Sequence, residues 1–125
     1  MLTALERDLW VLMAEVATVA DHRSKLVAGK TRVTPEMVER LERLIDDVAA
    51  RFEPPHEFVV PGQSVVAAQL DVARTVVRRA ERRALAVAVE GSSVGPYLNR
   101  LSDLLWTLAR WQEDESLPAR PEAPS

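Results

Sequence analysis

The sequence predicts an all-α protein, folded as an antiparallel bundle of four helices. Apolar residues recur at three- and four-residue steps in four stretches, and Pro and Gly concentrate between these stretches. No stretch shows the strict alternation of apolar and polar residues that is typical of a β-strand. The short connections favour antiparallel neighbours. We expect one domain over residues 1–113 and a disordered, proline-containing tail over residues 114–125.

Composition excludes several classes of function. The chain has 125 residues, 47% of them hydrophobic, and a net charge of −3, so nothing global attracts it to nucleic acid or an anionic membrane. It has no cysteine, which rules out disulfides, thiolate metal sites and a cysteine nucleophile. No apolar run approaches the roughly 20 residues of a membrane span, and no signal peptide follows Met1. We therefore expect a cytoplasmic protein.

The first helix is expected to begin at a capping box, Thr3 to Glu6, and to end near Ala20. Its predicted apolar stripe consists of Leu5, Leu9, Met13 (or Leu12) and Val16. Residues 21–33 are polar, contain Gly29 and predict a loop. This loop has three basic side chains, Lys25, Lys30 and Arg32. They either face solvent or contact an anion.

The second helix is expected to begin at Pro35, with Thr34 as its cap, and to end near Phe52, before Pro54 and Pro55. Its predicted buried stripe is Val38, Leu41, Leu44 or Ile45, and Val48. Opposite charges one turn apart predict three surface ion pairs. These are Glu36 with Arg40, Glu39 with Arg43, and Asp47 with Arg51. This helix has the pattern of a structural element.

An apolar segment, Phe58 to Val60, lies in the predicted loop between the second and third helices. It either caps the end of the bundle or lines an apolar ligand site. His22 and His56 both lie in predicted loops and are too far apart in sequence to suggest a metal site, so we predict no metal ligands.

The third helix, Ser64 to Glu90, is the longest and contains no Gly or Pro. Its predicted core face is Val66, Leu70, Ala73, Val77, Ala80 and Ala84. A second face carries Arg74, Arg78, Glu81 and Arg82. Like charges one turn apart each cost about 0.2–0.5 kcal/mol unless something neutralises them. Acidic partners in an ion-pair network, or a polyphosphate ligand, would do so. Glu81 does not fit a pure phosphate clamp, but it could order an arginine or bind a ribose or adenine edge.

The fourth helix is expected to run from Pro96 to about Glu113, after a Gly-rich turn. Its apolar stripe is Leu98, Leu101, Leu105 and Leu108. A second stripe, suited to a polar helix contact or a ligand edge, is Asn99, Asp103, Trp106 and Arg110. The chain has no phosphate-binding P-loop and no GxGxxG dinucleotide motif.

Three sequence blocks resemble the trimeric helical-bundle type of ATP:cob(I)alamin adenosyltransferase, in that family's order and spacing. They are Phe58-Val-Val-Pro-Gly62, the segment VARTVVRRAER at Val72–Arg82, and YLNRLSDLL at Tyr97–Leu105. Weaker likeness at Arg7-Asp-Leu-Trp10 and at Thr34–Glu42 extends the resemblance over nearly all of residues 5–111.

The resemblance implies a five-helix, ferritin-like bundle that forms homotrimers, with ATP held between neighbouring subunits. The implied reaction joins the 5′-deoxyadenosyl group of ATP to cob(I)alamin and releases triphosphate, with Mg²⁺ accompanying ATP. The resemblance also suggests that the protein contacts an adenosylcobalamin-dependent enzyme or a reductase. The alternatives are a non-catalytic paralogue that trimerises and carries nucleotide or cobalamin, and a purely structural bundle.

The resemblance also assigns binding residues, and leaves open which residues are catalytic. The implied ATP-binding residues are Arg74, Arg78, Arg79, Glu81, Arg82 and Asn99. Among these, Arg78 and Arg82 would hold the triphosphate, and Arg74 would support the site through a salt bridge across the subunit boundary. Phe58 would lie on the lower face of the corrin and exclude the axial ligand of cobalt.

The sequence departs from the family pattern in two respects. The family has a TGDxG-type phosphate loop and a first helix upstream of the matched segments, and this sequence has no counterpart. The family motifs PGG and Leu-His-Val-Ala-Arg read here as Pro61-Gly-Gln63 and Leu70-Asp-Val-Ala-Arg74. We expect Asp71 either to place a negative charge near the cobalamin side or to pair with Arg74 or Thr75.

Overall fold

The computed structural model describes residues 1–53, 55, 59 and 64–113. These residues form four α-helices, one short 3-10 helix and no β-strand, so the all-α prediction is confirmed. The helices are α1 (Leu2–Ala17), α2 (Pro35–Ala49), α3 (Val65–Leu85) and α4 (Val94–Trp111). The 3-10 helix, Ala20–Lys25, begins at the predicted end of the first helix and continues into the segment predicted as a loop. Phe58, Gln63 and the predicted tail lie outside the described residues.

Side-chain contacts define the helix directions. Glu42 of α2 pairs with Arg100 of α4, and Arg51, just past α2, lies over the Trp111 ring of α4, so α2 and α4 run parallel. Asp71 and Glu81 of α3 lie near opposite ends of α4, so α3 runs antiparallel to α4. Successive helices therefore alternate in direction, as predicted.

Helix α4 forms the centre of the core. Its predicted stripe is confirmed, because Leu98, Leu101, Leu105 and Leu108 are all buried. Tyr97 and Leu104 have no exposed surface. The helix begins at Val94 rather than Pro96, and a proline is tolerated there because the first-turn N–H groups have no partner within the helix.

Helix α1 differs from its prediction in its start, its end and its buried face. Met1 is the N-cap residue and no side chain caps the helix, so the predicted Thr3 capping box is wrong. The helix ends at Ala17, before the predicted Ala20. Its buried residues are Leu5, Asp8, Leu12 and Glu15, whereas Met13 and Val16 are exposed. Of the two alternatives for the third stripe position, Leu12 is the buried one.

The two buried acids explain the rotation of that face. Asp8 accepts hydrogen bonds from Arg40 at 2.5 Å and from the Tyr97 hydroxyl at 2.9 Å. Glu15 accepts bonds from the Val33 amide, the Ser92 hydroxyl and Arg23. Buried carboxylates are tolerated when such donors satisfy them.

Helix α2 begins as predicted, because the Thr34 hydroxyl accepts a bond from the Met37 amide at 3.3 Å. It ends at Ala49, three residues before the predicted Phe52. The predicted pairing of Arg40 with Glu36 is wrong, since Arg40 pairs with Asp8 of α1 instead. None of the helices in the described ranges has the length and hydropathy needed to cross a membrane.

Candidate functional site

The predicted site residues lie mainly on α3, which begins where the sequence indicates. The Ser64 hydroxyl oxygen accepts a hydrogen bond from the Ala67 amide at 3.1 Å and so caps the helix. The helix ends at Leu85, short of the predicted Glu90, and the chain then reaches a turn in which Gly91 has a φ of 81°. That conformation favours glycine and is incompatible with a continued helix.

Helix α3 buries most of its predicted core face, together with residues beside it. Leu70, Ala73, Val77 and Ala84 pack against the core as expected. Val66 is 51% exposed and Ala80 is also exposed, so these two predictions are wrong. Only Ala67 and Asp71 of this helix are fully buried. The buried side is therefore rotated from the predicted apolar stripe toward the arginines.

This rotation draws part of the charged face inward. Arg74 is partly buried, and its Nε makes no hydrogen bond within the described residues. The Glu81 side chain is only 14% exposed, and its Oε1 lies 3.6 Å from Arg78 Nη1. Its other oxygen, Oε2, is buried without a hydrogen-bond partner in the same part of the chain. Arg74, Arg78 and Glu81 thus share one side of the helix, at steps of four and three residues.

Glu81 and Asn99 line the same open cleft, of about 540 Å³, between α2, α3 and α4. Its floor and rim are completed by Val38, Glu42, Leu85, Gly95, Pro96 and Arg100. Two residues that the resemblance assigns to nucleotide binding, 18 positions apart in sequence, are therefore brought together. Arg78 lies one turn before Glu81 and is 46% exposed, so its guanidinium is accessible to an anion.

The other residues that the resemblance assigns within the described part of the chain do not line this cleft. Arg79 and Arg82 are both exposed, and Arg79 is turned by about 100° from Arg78 around the helix axis. Phe58 lies outside the described residues, so the structure gives no contact for the cobalamin assignment. Of the second stripe on α4, Asp103 is exposed and pairs with Arg100, whereas Arg110 is buried beside Trp106, with 5.5 Å between guanidinium and ring.

Sequence reasoning missed two contributors to the cleft, Arg100 and Glu42, and the partner of Asp71. Arg100 and Glu42 form an ion pair at 3.3 Å at the edge of the cleft. Arg100 follows Asn99 in the block NRLSD, a position that could have signalled it. Asp71 pairs with Arg110 of α4 at 2.5 Å, so the expected pairing with Arg74 or Thr75 is wrong.

No group of three or more His, Cys, Asp or Glu side chains that could hold a metal ion occurs among the described residues.

Comparison with known proteins identifies the family. The model of the cobalamin adenosyltransferase family matches residues 1–112. The chain belongs to this family. It is 38% identical over 119 residues to the corrinoid adenosyltransferase PduO of Salmonella typhimurium, covering 93% of this chain and 34% of that protein. It is 40% identical over 115 residues to a corrinoid adenosyltransferase of Citrobacter freundii, covering 90% and 64%.

A corrinoid adenosyltransferase of Mycobacterium tuberculosis is 42% identical over 114 residues, which cover 87% of this chain and 58% of that protein. The chain thus spans between about a third and two thirds of the length of these three relatives.

Solved structures of a PduO-type ATP:corrinoid adenosyltransferase from Lactobacillus reuteri have the same fold. An arginine-to-lysine variant complexed with ATP has a TM-score of 0.80 and 27% identity, over 95% of this chain and 69% of that one. A phenylalanine-to-alanine variant complexed with cobalamin and ATP also has a TM-score of 0.80, with 28% identity over 96% and 68%.

Proposed function

We propose that this chain acts as a corrinoid adenosyltransferase, which transfers the 5′-deoxyadenosyl group of ATP to cob(I)alamin. The observation that supports this proposal is the shared cleft of Glu81 and Asn99, with Arg78 one turn away on the same side of α3. Family membership supplies the reaction class, and the cleft supplies the groups that a nucleotide needs.

In the proposed reaction, the nucleophilic Co(I) centre of the substrate attacks the 5′ carbon of ATP. A cobalt–carbon bond forms with two electrons from cobalt, which becomes formally Co(III). The bond between the 5′ carbon and its oxygen breaks, and triphosphate departs with that electron pair. Charge builds up on the leaving oxygen, so cations fixed nearby lower the barrier.

The arginines of α3 suit that task. A guanidinium stays charged at any physiological pH and binds phosphate oxygens through two parallel N–H groups. Arg78 and Arg82 would hold the triphosphate, with Arg79 at its edge and Arg74 as support from the partly buried side. Glu81 Oε2, which has no partner among the described residues, would accept a hydrogen bond from a ribose hydroxyl or the adenine amino group. Asn99 would bind the nucleotide from α4.

Further parts of the proposal rest on the family alone. The active assembly would be a homotrimer with ATP between neighbouring subunits, and Phe58 would contact the corrin. Mg²⁺ would enter with ATP, bound to its phosphates. The cytoplasmic location and the boundary of the domain at residue 113 stay predictions. So does contact with an adenosylcobalamin-dependent enzyme or a reductase.

An anaerobic assay tests the function. The protein is mixed with ATP, Mg²⁺ and chemically reduced cob(I)alamin, and the formation of adenosylcobalamin and inorganic triphosphate is followed. The proposal predicts stoichiometric release of both products over many turnovers. If ATP or cobalamin binds but neither product forms, the chain is a non-catalytic carrier. If calorimetry detects no binding of either ligand, it is a structural bundle.

A further inference from the structure

One buried ion pair connects α3 to α4. Arg110 of α4 is 3% exposed, and its Nη2 donates to Asp71 Oδ2 at 2.5 Å. The same Nη2 donates to Glu113 Oε1 at 3.1 Å, so two carboxylates share one guanidinium. Asp71 belongs to α3, Arg110 lies in the last turn of α4, and Glu113 lies just past the end of α4. The pair therefore joins the start of α3 to the end of α4.

The apolar side chains of α3 that contact the core are either small or only partly buried. Of the residues of this helix, only Ala67 and Asp71 are buried. The larger apolar residues of α3 that face the core, Leu70 and Val77, are only partly buried. A buried, hydrogen-bonded charge pair is directional, because a slip of α3 takes the buried Asp71 carboxylate away from Arg110. Asp71 is thus the directional anchor in the described part of α3.

The register matters because the candidate site spans both helices. Asp71 lies 10 residues before Glu81 on α3, a distance of about 15 Å along the helix axis. Arg110 lies 11 residues after Asn99 on α4, about 16 Å along its axis. These lengths match, so the ion pair at one end brings Glu81 and Asn99 level at the other. Sliding α3 by one residue would shift Glu81 by about 1.5 Å and rotate it by about 100°.

We propose that Asp71 is a positioning residue, which through Arg110 sets the register of α3 on α4 and so places Arg78 and Glu81 opposite Asn99. It touches no reacting atom. Where the proposal concerns ATP, it rests on the proposed function. The part that concerns register stands on the contacts of Asp71 and Arg110 alone.

Spin-label distances test the register directly. The chain has no cysteine, so Arg83→Cys and Gln112→Cys, both at exposed positions, introduce two unique labels on α3 and at the end of α4. Double electron–electron resonance without ligand should give one narrow distance distribution. In the isosteric Asp71→Asn variant we expect that distribution to shift or broaden. A distribution identical to that of the labelled parent would overturn the proposal.

ATP binding separates positioning from simple loss of stability. Asp71→Asn should weaken ATP binding by about tenfold at a temperature at which the variant is fully folded, because small misplacements of binding groups are costly. The matched control is Val48→Ala on α2, which is also buried and should lower the melting temperature by several degrees without changing ATP affinity. Equal ATP affinities in both variants and the parent would contradict a positioning role.

A second variant, Arg110→Lys, tests the proposal if Asp71→Asn fails to fold. Arg110→Lys keeps the charge but loses the fork that reaches Asp71 and Glu113 together, and we expect the same broadening and loss of affinity. An unchanged distance and affinity in that variant would also overturn the proposal. A parent protein that binds no ATP would overturn the proposed function instead, and the label distances would still decide the register.

Discussion

The Tyr97 hydroxyl donates a hydrogen bond to Asp8 Oδ2 at 2.9 Å, which joins α4 to α1 across 89 residues of sequence. Tyr97 has no exposed surface, and Arg40 of α2 donates to the same carboxylate oxygen at 2.5 Å. Three helices therefore meet at one carboxylate. Asp8 is satisfied from both sides, which explains how a charged residue occupies the buried face of α1.

This contact predicts the titration of Tyr97. Burial, then the charge of Asp8 and the hydrogen bond to it, raise the pKa of Tyr97 above its ordinary value of 10.0, and Arg40 offsets only part of that rise. A raised pKa means that the stabilising contribution is fully present below about pH 10 and is lost as pH rises further. The chain has one tyrosine and three tryptophans, and only the tyrosine ionises in alkali, so the change in near-ultraviolet absorbance on tyrosinate formation reports Tyr97 alone.

We expect tyrosinate to appear only as the protein unfolds in alkali, with the absorbance and circular-dichroism transitions coinciding. In the Asp8→Asn variant, which removes the neighbouring negative charge, tyrosinate should appear at lower pH. Ordinary ionisation near pH 10 in a folded parent protein would contradict the buried contact.

The contacts of Glu15 predict how the free energy of unfolding changes at acid pH. Burial alone would raise its pKa, but the hydrogen bonds from Ser92, the Val33 amide and Arg23 together outweigh burial and lower the pKa below 4.5. The stabilising contribution is therefore present above about pH 4.5 and is lost as pH falls through the lowered folded-state pKa. Urea unfolding of the parent and of Glu15→Gln, measured at several pH values, isolates this contribution.

The difference in unfolding free energy between the parent and Glu15→Gln should shrink as the solution is acidified below pH 4.5. Ser92→Ala removes one donor and should cost about 1.5–3 kcal/mol at neutral pH, the usual value of a hydrogen bond to a charged group. A difference that stays constant down to acid unfolding would show that Glu15 does not titrate as expected.

Asn99 predicts a moderate effect on nucleotide use. The Asn99→Ala variant removes a neutral hydrogen-bonding group from the cleft and should raise the KM for ATP by about 3- to 10-fold, with kcat changed less. Gln112→Ala, at the exposed C-cap of the same helix, is the matched control and should behave as the parent. Steady-state kinetics of adenosylcobalamin formation provide the measurement. Equal KM values in the two variants would remove Asn99 from the nucleotide site.

Much of the fold could be predicted from sequence because its signals are local. The Thr34-Pro35 start, the Ser64 cap and the leucine stripe of α4 each depend on a few neighbouring residues. The buried face of α1 could not be predicted, because the carboxylates of Asp8 and Glu15 accept hydrogen bonds from donors that are distant in sequence, Tyr97 and Ser92. Hydrophobic periodicity treats such carboxylates as exposed.

The candidate site was predictable only in part, for a similar reason. The like charges of α3 indicated an anion or an ion-pair network, and the resemblance supplied the residues. The rotation of α3 that draws Arg74 and Glu81 inward also buries Asp71 against Arg110. That contact joins residues 39 apart, and nothing in the pattern of either helix specifies it.

The most direct test of the proposed ATP site is the affinity of Arg78→Ala for ATP, measured by calorimetry with Arg83→Ala as the control. Both variants remove one exposed arginine from α3, but Arg83 lies on the opposite side of the helix from the cleft. Loss of charged hydrogen bonds to phosphate should weaken ATP binding to Arg78→Ala by about 10- to 100-fold, with Arg83→Ala within about twofold of the parent. Equal ATP affinities in Arg78→Ala and the parent would contradict the assignment of this face of α3 to the triphosphate.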